Sequence, residues 1–424
     1  MSPYTGIVRS VEEVLASTAD APLFQASCEL ASGGGLFGTD LAHVGGVGGV
    51  GGTRAEAAAA AVGEAIERYS ATYVPRERLV VDSASRLGDV AVAPSRFALF
   101  SERQYAQPGF PYRPFTADST IAWIEGYSLP DRRPAFLPAE LVFLGDARTA
   151  GRGIGYSTSS GLACADTVEE ATTRGLCEVL ERDAFMLVWK NRLSLPVLDA
   201  AADPSTRAAL AAFSEPGLPY AAVDLSSIHR FPIVLAVVRA PRFAAGALGV
   251  GAAAAPTIER AAWKALSEAF ATRSAGVKLE VVRRGRASDR RGETVDTFDD
   301  HIVHYADHRR AAATAFLDSS AARTLAADVS PLEGCTATEQ IAALCKRVGA
   351  ARSSAYAVDV TSPDVVELGL TVTRVIAPEL CPLDVSHSTR FLGGVRLYGA
   401  AAALGLREHV LEESDINPDP HPFP

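Results

Sequence analysis

The sequence lacks the patterns that mark several common classes of protein. Its six cysteines are scattered and none lies in a Cys-x-x-Cys pair, so neither a structural zinc site nor a disulfide framework is indicated. Acidic residues outnumber basic ones, and the net charge of −10 argues against a non-specific nucleic-acid-binding protein. No apolar run approaches the roughly 20 residues of a membrane span, and the first residues carry no signal-peptide pattern. These absences favour a cytoplasmic globular protein that acts on neither nucleic acid nor membrane.

Three familiar catalytic motifs are also absent. The glycine-rich residues 45–52 lack the lysine of a P-loop, so a flexible or close-packed turn is the favoured interpretation. Residues 157–161 do not form the Gly-x-Ser-x-Gly elbow of serine hydrolases. His301, His304 and His308 have helical spacing and aspartates beside them, but the glutamate of the zinc proteases is missing. An exposed polar helix face is therefore favoured over a metal site.

The patterns that are present predict alternating strands and helices. Thr53–Glu56 and Thr167–Glu170 match the capping box, so each predicts the start of a helix, and Pro256 predicts the start of a third. The three helices are predicted to end near Thr72, Lys190 and Ser274. Strands are predicted at 121–127, 135–144, 220–225, 232–240, 355–361 and 370–377. The alternation predicts an α/β fold, and a partial echo between the two halves suggests duplicated subdomains.

The first two helices each carry the sequence Glu-x-x-Glu-Arg. The two copies are Glu64, Glu67 and Arg68 in the first helix and Glu178, Glu181 and Arg182 in the second. Residues three apart lie on one helix face, so the two faces could place four carboxylates around one cavity. An oxygen-only cluster suits a hard cation such as magnesium, and adjacent arginines suit phosphate. Solvated helix faces with local ion pairs explain the pattern equally well.

Other polar residues have ordinary explanations. Glu170 completes a capping box, and Asp166 can cap the same helix. Glu268 and Arg273 can form an ion pair within the third helix. From Asn417 onwards the chain is rich in proline and is predicted to be extended, and its composition alone indicates a disordered tail.

Together these motifs resemble the YcaO family over nearly the whole chain. The matching segments are residues 61–70, 159–163, 169–171, 178–183, 265–273, 375–378 and 392–398. The last two resemble the branch of the family that forms thiazolines and oxazolines. The resemblance implies a YcaO-like fold, in which mixed sheets and helices form two related subdomains around a central nucleotide site. It also implies an N-terminal segment 1–52, a catalytic domain 53–404 and a tail 405–424 that reaches the active site.

The resemblance implies a site for ATP and magnesium. Magnesium ions would be held by Glu64, Glu67, Glu178 and Glu181. ATP would be contacted by Asp166, Glu170, Arg182, Glu268, Arg273 and Ser160. The Pro-x-Pro-x-Pro ending would act in catalysis through Pro420, Pro422 and Pro424. Ala60, Ser160 and Ala271 stand where serine, asparagine and glutamine are common in the family, so weaker ATP binding or altered chemistry stays an alternative.

The activity that the resemblance implies is cyclodehydration of a ribosomally made precursor peptide. A Cys, Ser or Thr side chain attacks the preceding amide carbonyl, ATP phosphorylates the oxyanion, and loss of phosphate leaves an azoline ring. The implied partners are the precursor peptide, a separate leader-binding protein resembling ubiquitin-activating enzymes, a second copy in a homodimer and, where azoles form, an azoline oxidase. Peptide thioamidation within the same family and a non-catalytic scaffold subunit are the alternatives.

Overall fold

The computed structural model describes residues 6–15, 21–30, 47–149, 151–214, 217–285 and 294–423. The longer helices are α1 (Arg54–Thr72), α2 (Val168–Asn191), α3 (Ile258–Gly285), α4 (Phe298–Ala306), α5 (Ala337–Ala350) and α6 (Val395–Ala403). Shorter helices span Ala84–Leu87, Glu102–Tyr105, Ala139–Val142, Pro204–Leu210, Ser226–His229, His308–Ala311 and Pro363–Glu367. None of the helices within these ranges is long and apolar enough to cross a bilayer.

The strands form three sheets in the described part of the chain. They are β1 (Val8–Val14), β2 (Phe24–Leu30), β3 (Val47–Gly51), β4 (Val80–Asp82), β5 (Ile121–Ser128), β6 (Arg133–Pro138), β7 (Leu162–Ala165), β8 (Val197–Leu198), β9 (Tyr220–Asp224), β10 (Ile233–Arg239), β11 (Leu248–Ala254), β12 (Arg323–Thr324), β13 (Tyr356–Asp359) and β14 (Thr371–Ile376). The first sheet has the order β1-β2-β3. The second has the order β4-β5-β13-β14-β7, with β6 paired to β5. The third has the order β11-β10-β9-β8-β12, in which β12 runs parallel to β8.

Residues 47–51 form a strand, so the predicted turn is wrong there, although the predicted close packing is found. The strand β3 lies directly on α1. A Cβ atom at Gly49 would collide with backbone atoms of Ala57 and Ala61, and one at Gly51 would lie 2.7 Å from the backbone nitrogen of Ala57. Only residues without a side chain allow this approach of strand to helix. Residues 45 and 46 lie outside the described residues.

The strand β11 and the helix α3 repeat this arrangement. A Cβ atom at Gly251 would lie 2.5 Å from the carbonyl oxygen of Ala265, and one at Gly249 would collide with the carbonyl oxygen of Ala269. The predicted duplication is therefore visible as two strand–helix units, β3–α1 and β11–α3. The described parts of the predicted segment 1–52 belong to the first unit, because β2 and β3 pack on α1. The proposed domain boundaries stay predictions.

The helix α2 lies at the centre of the molecule. It packs against α5, β14, β7 and β11, and its second half is buried from Ala184 to Asn191. Its predicted capping box is only half formed: the Thr167 hydroxyl accepts from the Glu170 N–H, while the Glu170 carboxylate pairs with Arg174 at 3.9 Å. Buried apolar side chains on several sides thus fix the helix that carries the second Glu-x-x-Glu-Arg copy.

The structure corrects two predicted elements. The helix α3 begins at Ile258 and continues to Gly285, well past its predicted end near Ser274. The segment 135–144 is a strand only to Pro138 and then turns into the short helix Ala139–Val142. The strands predicted at 121–127, 220–225, 232–240, 355–361 and 370–377 are confirmed with small shifts of their ends. β7 and β11 were not predicted, because their small residues give no strong strand pattern.

The segment 392–398, which resembles the azoline-forming branch, fastens α6 to α2. Arg396 donates from Nε to Asp183 Oδ1 at 2.8 Å and from Nη2 to Oδ2 at 2.7 Å. His229 Nε2 lies 2.8 Å from Asp183 Oδ2. Burial alone would raise the pKa of Asp183, but Arg396 and His229 hold it below its usual range. The buried aspartate therefore stays charged and ties the two helices together beside Arg182.

Candidate nucleotide and metal site

A cavity of about 2060 Å³ opens between α1, α2 and α3. Each helix turns one face towards it, and α3 does so through Trp263, Ser267 and Ala271 at helical spacing. Ligand pockets for small molecules usually measure roughly 300–1,000 Å³, so this cavity has room for more than one ligand. Of the carboxylates that line it, five on these three helices are buried or half-buried: Glu64, Glu67, Glu178, Glu181 and Glu268.

The carboxylates of α1 are held in different ways. Glu64 accepts from Arg68 Nη2 at 2.5 Å and from the backbone N–H of Gly48 at 3.1 Å. Burial raises the pKa of Glu67 well above its usual value, and repulsion by Glu178 and Glu64 raises it further. Arg68 acts in the opposite direction but does not cancel these effects. Glu67 therefore has too little positive charge around it. Its carboxylate would stabilise a cation that binds beside it.

Backbone groups of β11 position the carboxylates on the opposite wall. Ala254 N–H donates to Glu181 Oε2, and Ala252 N–H donates to Glu268 Oε2, both at 2.8 Å. Burial raises the pKa of Glu181 to about 8 and that of Glu268 to about 7. Arg182 lowers both values, whereas repulsion among the carboxylates raises them. The strand β11 thus holds one acid of α2 and one of α3, and a bound cation would stabilise the charged form of both.

These donors fit magnesium carried with a nucleotide. Among the described residues, no three His, Cys, Asp or Glu side chains converge closely enough to hold an ion on their own. Magnesium usually takes only one or two protein carboxylates and completes its shell with water and phosphate oxygens. Arg182 is a matching anion donor: its Nε and Nη1 are buried without a hydrogen bond within the described ranges, and Nη1 lies 3.6 Å from Glu181 Oε1. A phosphate beside Arg182 would satisfy these donors.

Arg374 is a buried cation that interacts with the charges of Glu178 and Glu67, and it was not predicted as a site residue. It is buried, and it donates from Nη1 to the carbonyl oxygen of Thr158 and from Nη2 to that of Leu141 at 3.3 Å. Burial lowers the pKa of Arg374 to about 10, and Glu178 and Glu67 raise it in part. A lone arginine within the apolar strand β14 was the available signal.

The cavity unites most but not all of the predicted site residues. Its wall includes the four predicted magnesium ligands together with Ser160, Glu170, Arg182 and Glu268. Asp166 is exposed at the end of β7 and does not belong to this wall. Arg273 of α3 is buried away from this wall, and its Nη2 donates to the carbonyl oxygen of Ala245 at 3.0 Å. Ala60 and Ala271, which depart from the family pattern, both face the cavity.

The C-terminal tail is docked against α2 and α4. The Tyr305 hydroxyl donates to the carbonyl oxygen of Pro420 at 2.5 Å, and Trp189 Nε1 donates to that of Asp419 at 3.2 Å. The ring of Phe423 is 0% exposed and lies 4.2 Å from the guanidinium carbon of Arg182. The disorder that composition alone indicates is therefore wrong for residues 417–423. Pro420 and Pro422 are buried in this segment, and Pro424 lies outside the described residues.

The histidines of α4 do not form an exposed polar face, so this prediction is wrong for His301. That side chain is 0% exposed and stacks on the ring of His421 with 3.9 Å between centroids. Its Nδ1 lies 2.6 Å from the carbonyl oxygen of His421, and its Nε2 lies 2.8 Å from that of Val385. His304 accepts from Arg310, and His308 begins the next short helix. His301 anchors the tail and does not ligate a metal with the other two histidines.

Comparison with protein families assigns the chain. The family model described as "YcaO cyclodehydratase, ATP- and Mg2+-binding" matches residues 48–381 of this chain. The chain belongs to the YcaO family. The α/β fold, the ATP and magnesium cofactors and the membership in an enzyme family that the sequence predicted are thereby confirmed. Comparison with curated protein sequences gives no significant match.

Solved structures share the fold of this YcaO protein. A heterocyclase in complex with substrate and cofactor has a TM-score of 0.82 and 23% identity, covering 100% of this chain and 56% of its own. The heterocyclase TruD has a TM-score of 0.67 and 25% identity, covering 86% of this chain and 50% of its own. YcaO from Methanopyrus kandleri, bound with AMPPCP and Mg2+, has a TM-score of 0.60 and 19% identity, covering 91% and 89%. The chain thus spans about half the length of both heterocyclases.

Proposed function

We propose that this YcaO protein is an ATP- and magnesium-dependent cyclodehydratase. It converts Cys, Ser or Thr residues of a ribosomally made precursor peptide into thiazolines or oxazolines. The observation that carries the proposal is the cavity in which five carboxylates and Arg182 meet, with the ring of Phe423 lying on the Arg182 guanidinium. Family membership and the fold shared with two heterocyclases support it.

The proposed division of work among the residues follows their positions. Magnesium is held by Glu64, Glu67, Glu178 and Glu181, and its charge offsets that of the ATP phosphates. Arg182 donates to a phosphate through the nitrogens that have no hydrogen bond among the described residues. Ser160, Glu170 and Glu268 border the nucleotide from the same cavity. Asp166 and Arg273 do not line the cavity wall. We propose that they act on ATP through the residues beside them.

The proposed reaction consumes one ATP for each ring. The thiol or hydroxyl of the substrate residue attacks the preceding amide carbon and loses its proton. The resulting oxyanion takes the γ-phosphoryl group, so that ADP leaves, and the C–O bond then breaks with release of phosphate. Loss of the amide proton completes the C=N bond of the azoline. Arg182 and the carboxylates act on the phosphoryl transfer by holding charge in place rather than by covalent chemistry.

We further propose that the proline ending, Pro420, Pro422 and Pro424, takes part in catalysis. The contact that supports this role is the one between Phe423 and Arg182, which brings the described end of the tail to the cavity wall. The tail is fixed by Tyr305 and His301 and is therefore ordered before any substrate arrives. A preordered group loses less entropy when it contacts a reacting substrate.

The proposed partners are the precursor peptide and a separate leader-binding protein resembling ubiquitin-activating enzymes. The support for the peptide substrate is the fold shared with a heterocyclase solved in complex with substrate and cofactor. A homodimer and an azoline oxidase complete the proposal. All six cysteines are free, which supports a reducing compartment such as the cytoplasm.

The test is reconstitution with the leader-binding partner and a Cys- and Ser-rich precursor peptide. We expect one ADP, one phosphate and the loss of one water from the peptide for each ring, measured by coupled assay and mass spectrometry. Glu178→Ala is the matched inactive control. Absence of both ADP and water loss with a folded, partner-bound chain would rule out the proposed activity, and exchange of oxygen for sulfur would indicate thioamidation instead.

A further inference from the structure

One part of the cavity wall, called the second compartment below, contains none of the residues proposed for ATP or magnesium. Aromatic and polar side chains line it, among them Tyr112, Glu140, Arg148 and Tyr156. The Tyr112 ring lies parallel to that of Phe100, with 4.8 Å between centroids and 12° between planes. Phe100 therefore covers one face of Tyr112, and the hydroxyl of Tyr112 makes no hydrogen bond within the described residues.

Glu140 is an unusual acid for this position. It is 7% exposed and has no ion pair with Arg or Lys in the described ranges. Its Oε2 accepts from the N–H of Ile154 at 3.0 Å, whereas Oε1 accepts no hydrogen bond from any described residue. Burial raises the pKa of this carboxyl group. Glu140 lines the cavity, so its Oε1 is open to a donor from a ligand.

Glycines bring these groups close together. A Cβ atom at Gly153 would lie 2.7 Å from Glu140 Oε2 and 3.4 Å from Cδ of Arg148, so the acid and the base lie on the two sides of one glycine. A Cβ atom at Gly155 would lie 3.3 Å from Leu141 Cδ2 and 4.0 Å from Phe100 Cε2. The aromatic wall and the acid thus border one space that two missing side chains keep open.

The buried Arg374 joins this compartment to the carboxylate cluster. Its Nη2 donates to the carbonyl oxygen of Leu141, the residue after Glu140, and to Ser157 Oγ, both at 3.3 Å. Thr158, whose carbonyl oxygen also accepts from Arg374, holds the N–H of Ser160 on its hydroxyl at 3.2 Å. Residues 157–160 therefore run along the cavity from the acid to the nucleotide site.

We propose that the compartment around Tyr112 and Glu140 is the subsite for the substrate peptide. This inference rests on the proposed cyclodehydratase function. Glu140 Oε1 accepts a backbone N–H of the peptide next to the residue that is cyclised, and the half-buried ring of Tyr112 packs against the adjacent side chain. An apolar neighbour fits this surface, whereas an acidic neighbour is repelled by Glu140 and loses its hydration.

Binding of short labelled peptides tests the subsite. The probes are fluorescein-labelled Ala-Leu-Cys-Ala-Gly and Ala-Asp-Cys-Ala-Gly, measured by anisotropy on the full chain with magnesium and a non-hydrolysable ATP analogue. Glu140→Gln keeps an oxygen for Ile154 but places an NH₂ group where the peptide donates. A hydrogen bond to a charged group corresponds to roughly 10- to 100-fold in Kd, so this variant should weaken binding of the leucine peptide to that extent.

Matched variants separate the subsite from general packing. Tyr112→Leu should weaken the same peptide by roughly 3- to 10-fold, in line with the value of an aromatic contact. Tyr105 also packs on Phe100, with 5.9 Å between centroids, but does not line the cavity, so Tyr105→Leu should leave peptide binding unchanged. Glu379→Gln is the corresponding control for the acid, because Glu379 pairs with Arg96 outside the cavity.

The outcomes distinguish the subsite from the proposed function. Weaker peptide binding in Glu140→Gln and Tyr112→Leu, with nucleotide affinity within about 2-fold of the parent, supports the subsite. Unchanged peptide binding in both, or a parent chain that binds the nucleotide but not the leucine peptide, overturns it and leaves ATP-dependent activity standing. A parent chain that binds no nucleotide overturns the proposed function itself. If Glu140→Gln does not fold, Tyr112→Leu alone decides.

Discussion

The units β3–α1 and β11–α3 share one construction but differ in charge. In each, glycines let a strand lie on the helix, and a helix glutamate accepts an N–H from that strand: Glu64 from Gly48 and Glu268 from Ala252. In α1 a second carboxylate, Glu67, follows three residues later, whereas α3 has Ala271 at that spacing. Duplication of the fold thus placed two acids on one wall of the cavity and one on the other.

In both units the backbone of the strand positions the first carboxylate, whereas the residue three positions later differs and changes the charge of the wall. The strand N–H groups fix Glu64 and Glu268 in equivalent positions. The charge that magnesium needs then comes from Glu67 and from the Glu178–Glu181 pair of α2, which lies between the units. The α3 wall is left small and apolar at Ala271, which is the side of the cavity where the sequence departs from its family.

The largest expected effect comes from removing the acid that only α1 has. Glu67→Gln should weaken magnesium–ATP binding by about 10- to 100-fold, the usual loss on altering a metal-site group. Isothermal titration measures it. Ala271→Glu, combined with Glu67→Gln, tests whether the two walls are interchangeable. We expect no rescue, because position 271 lies on α3, whereas the lost carboxylate lies on α1 beside Arg68 and Glu178; full rescue would show that only the number of acids matters.

The second largest effect should come from the tail, which contacts α2 rather than either strand–helix unit. Deleting Phe423 and Pro424 removes the ring from Arg182, a contact of about 0.5–2 kcal/mol. Cyclisation should fall about 10-fold or more, while ATP binding and the unfolding midpoint change little. Phe423→Leu is the milder control. A deleted enzyme with normal turnover would show that the tail is only structural.

Glycine substitutions test whether the two units have the same packing. Gly49→Ala and Gly249→Ala should each lower the free energy of unfolding by about 1–3 kcal/mol, because the new Cβ meets helix backbone. Gly48→Ala is the matched control, since its Cβ would lie 3.5 Å from the nearest atom, the carbonyl oxygen of Ala26. Urea unfolding measures all three. Equal losses in Gly48→Ala and Gly49→Ala would contradict the packing argument.

The smallest effect concerns protons on Glu181 of α2 and Glu268 of α3. The pKa values of Glu181, about 8, and Glu268, about 7, lie above the usual 4.5, so the folded protein binds protons that the unfolded chain has lost. These groups should therefore lower the free energy of unfolding as pH rises from about 4.5 to about 8. Magnesium–ATP should release protons at pH 7, seen as a buffer-dependent binding enthalpy, and Glu268→Gln should reduce that release.

The fold class and the helix faces could be predicted because they depend on local features of the sequence. Capping residues and the three-residue spacing of Glu64 and Glu67 act within one helix, so they can be read without knowing the partners. The family resemblance then predicted which faces meet. The predictions at Asp166 and Arg273 came from that resemblance alone, and neither side chain lines the cavity wall.

Local pattern failed where distant parts of the chain decide the structure. A run of glycines gives no strand signal, and β3 is a strand because α1 covers it. Arg374 and Glu140 look like ordinary polar residues until the fold brings Leu141 and Thr158 to Arg374 and Ile154 to Glu140. His301 has the spacing of an exposed face but is buried because the tail lies over it.

The helices, the paired carboxylates and the family could be predicted from the sequence, because they depend on residues that lie near one another along the chain. The tertiary structure sets which strand N–H groups hold Glu64, Glu181 and Glu268, and burial within it raises the energy of charged Glu181 and Glu268. It also decided that a proline-rich end is ordered, because Arg182, Tyr305 and α2 provide contacts that no composition can express. Long-range packing, through burial and shared hydrogen bonds, converts a repeated motif into one site.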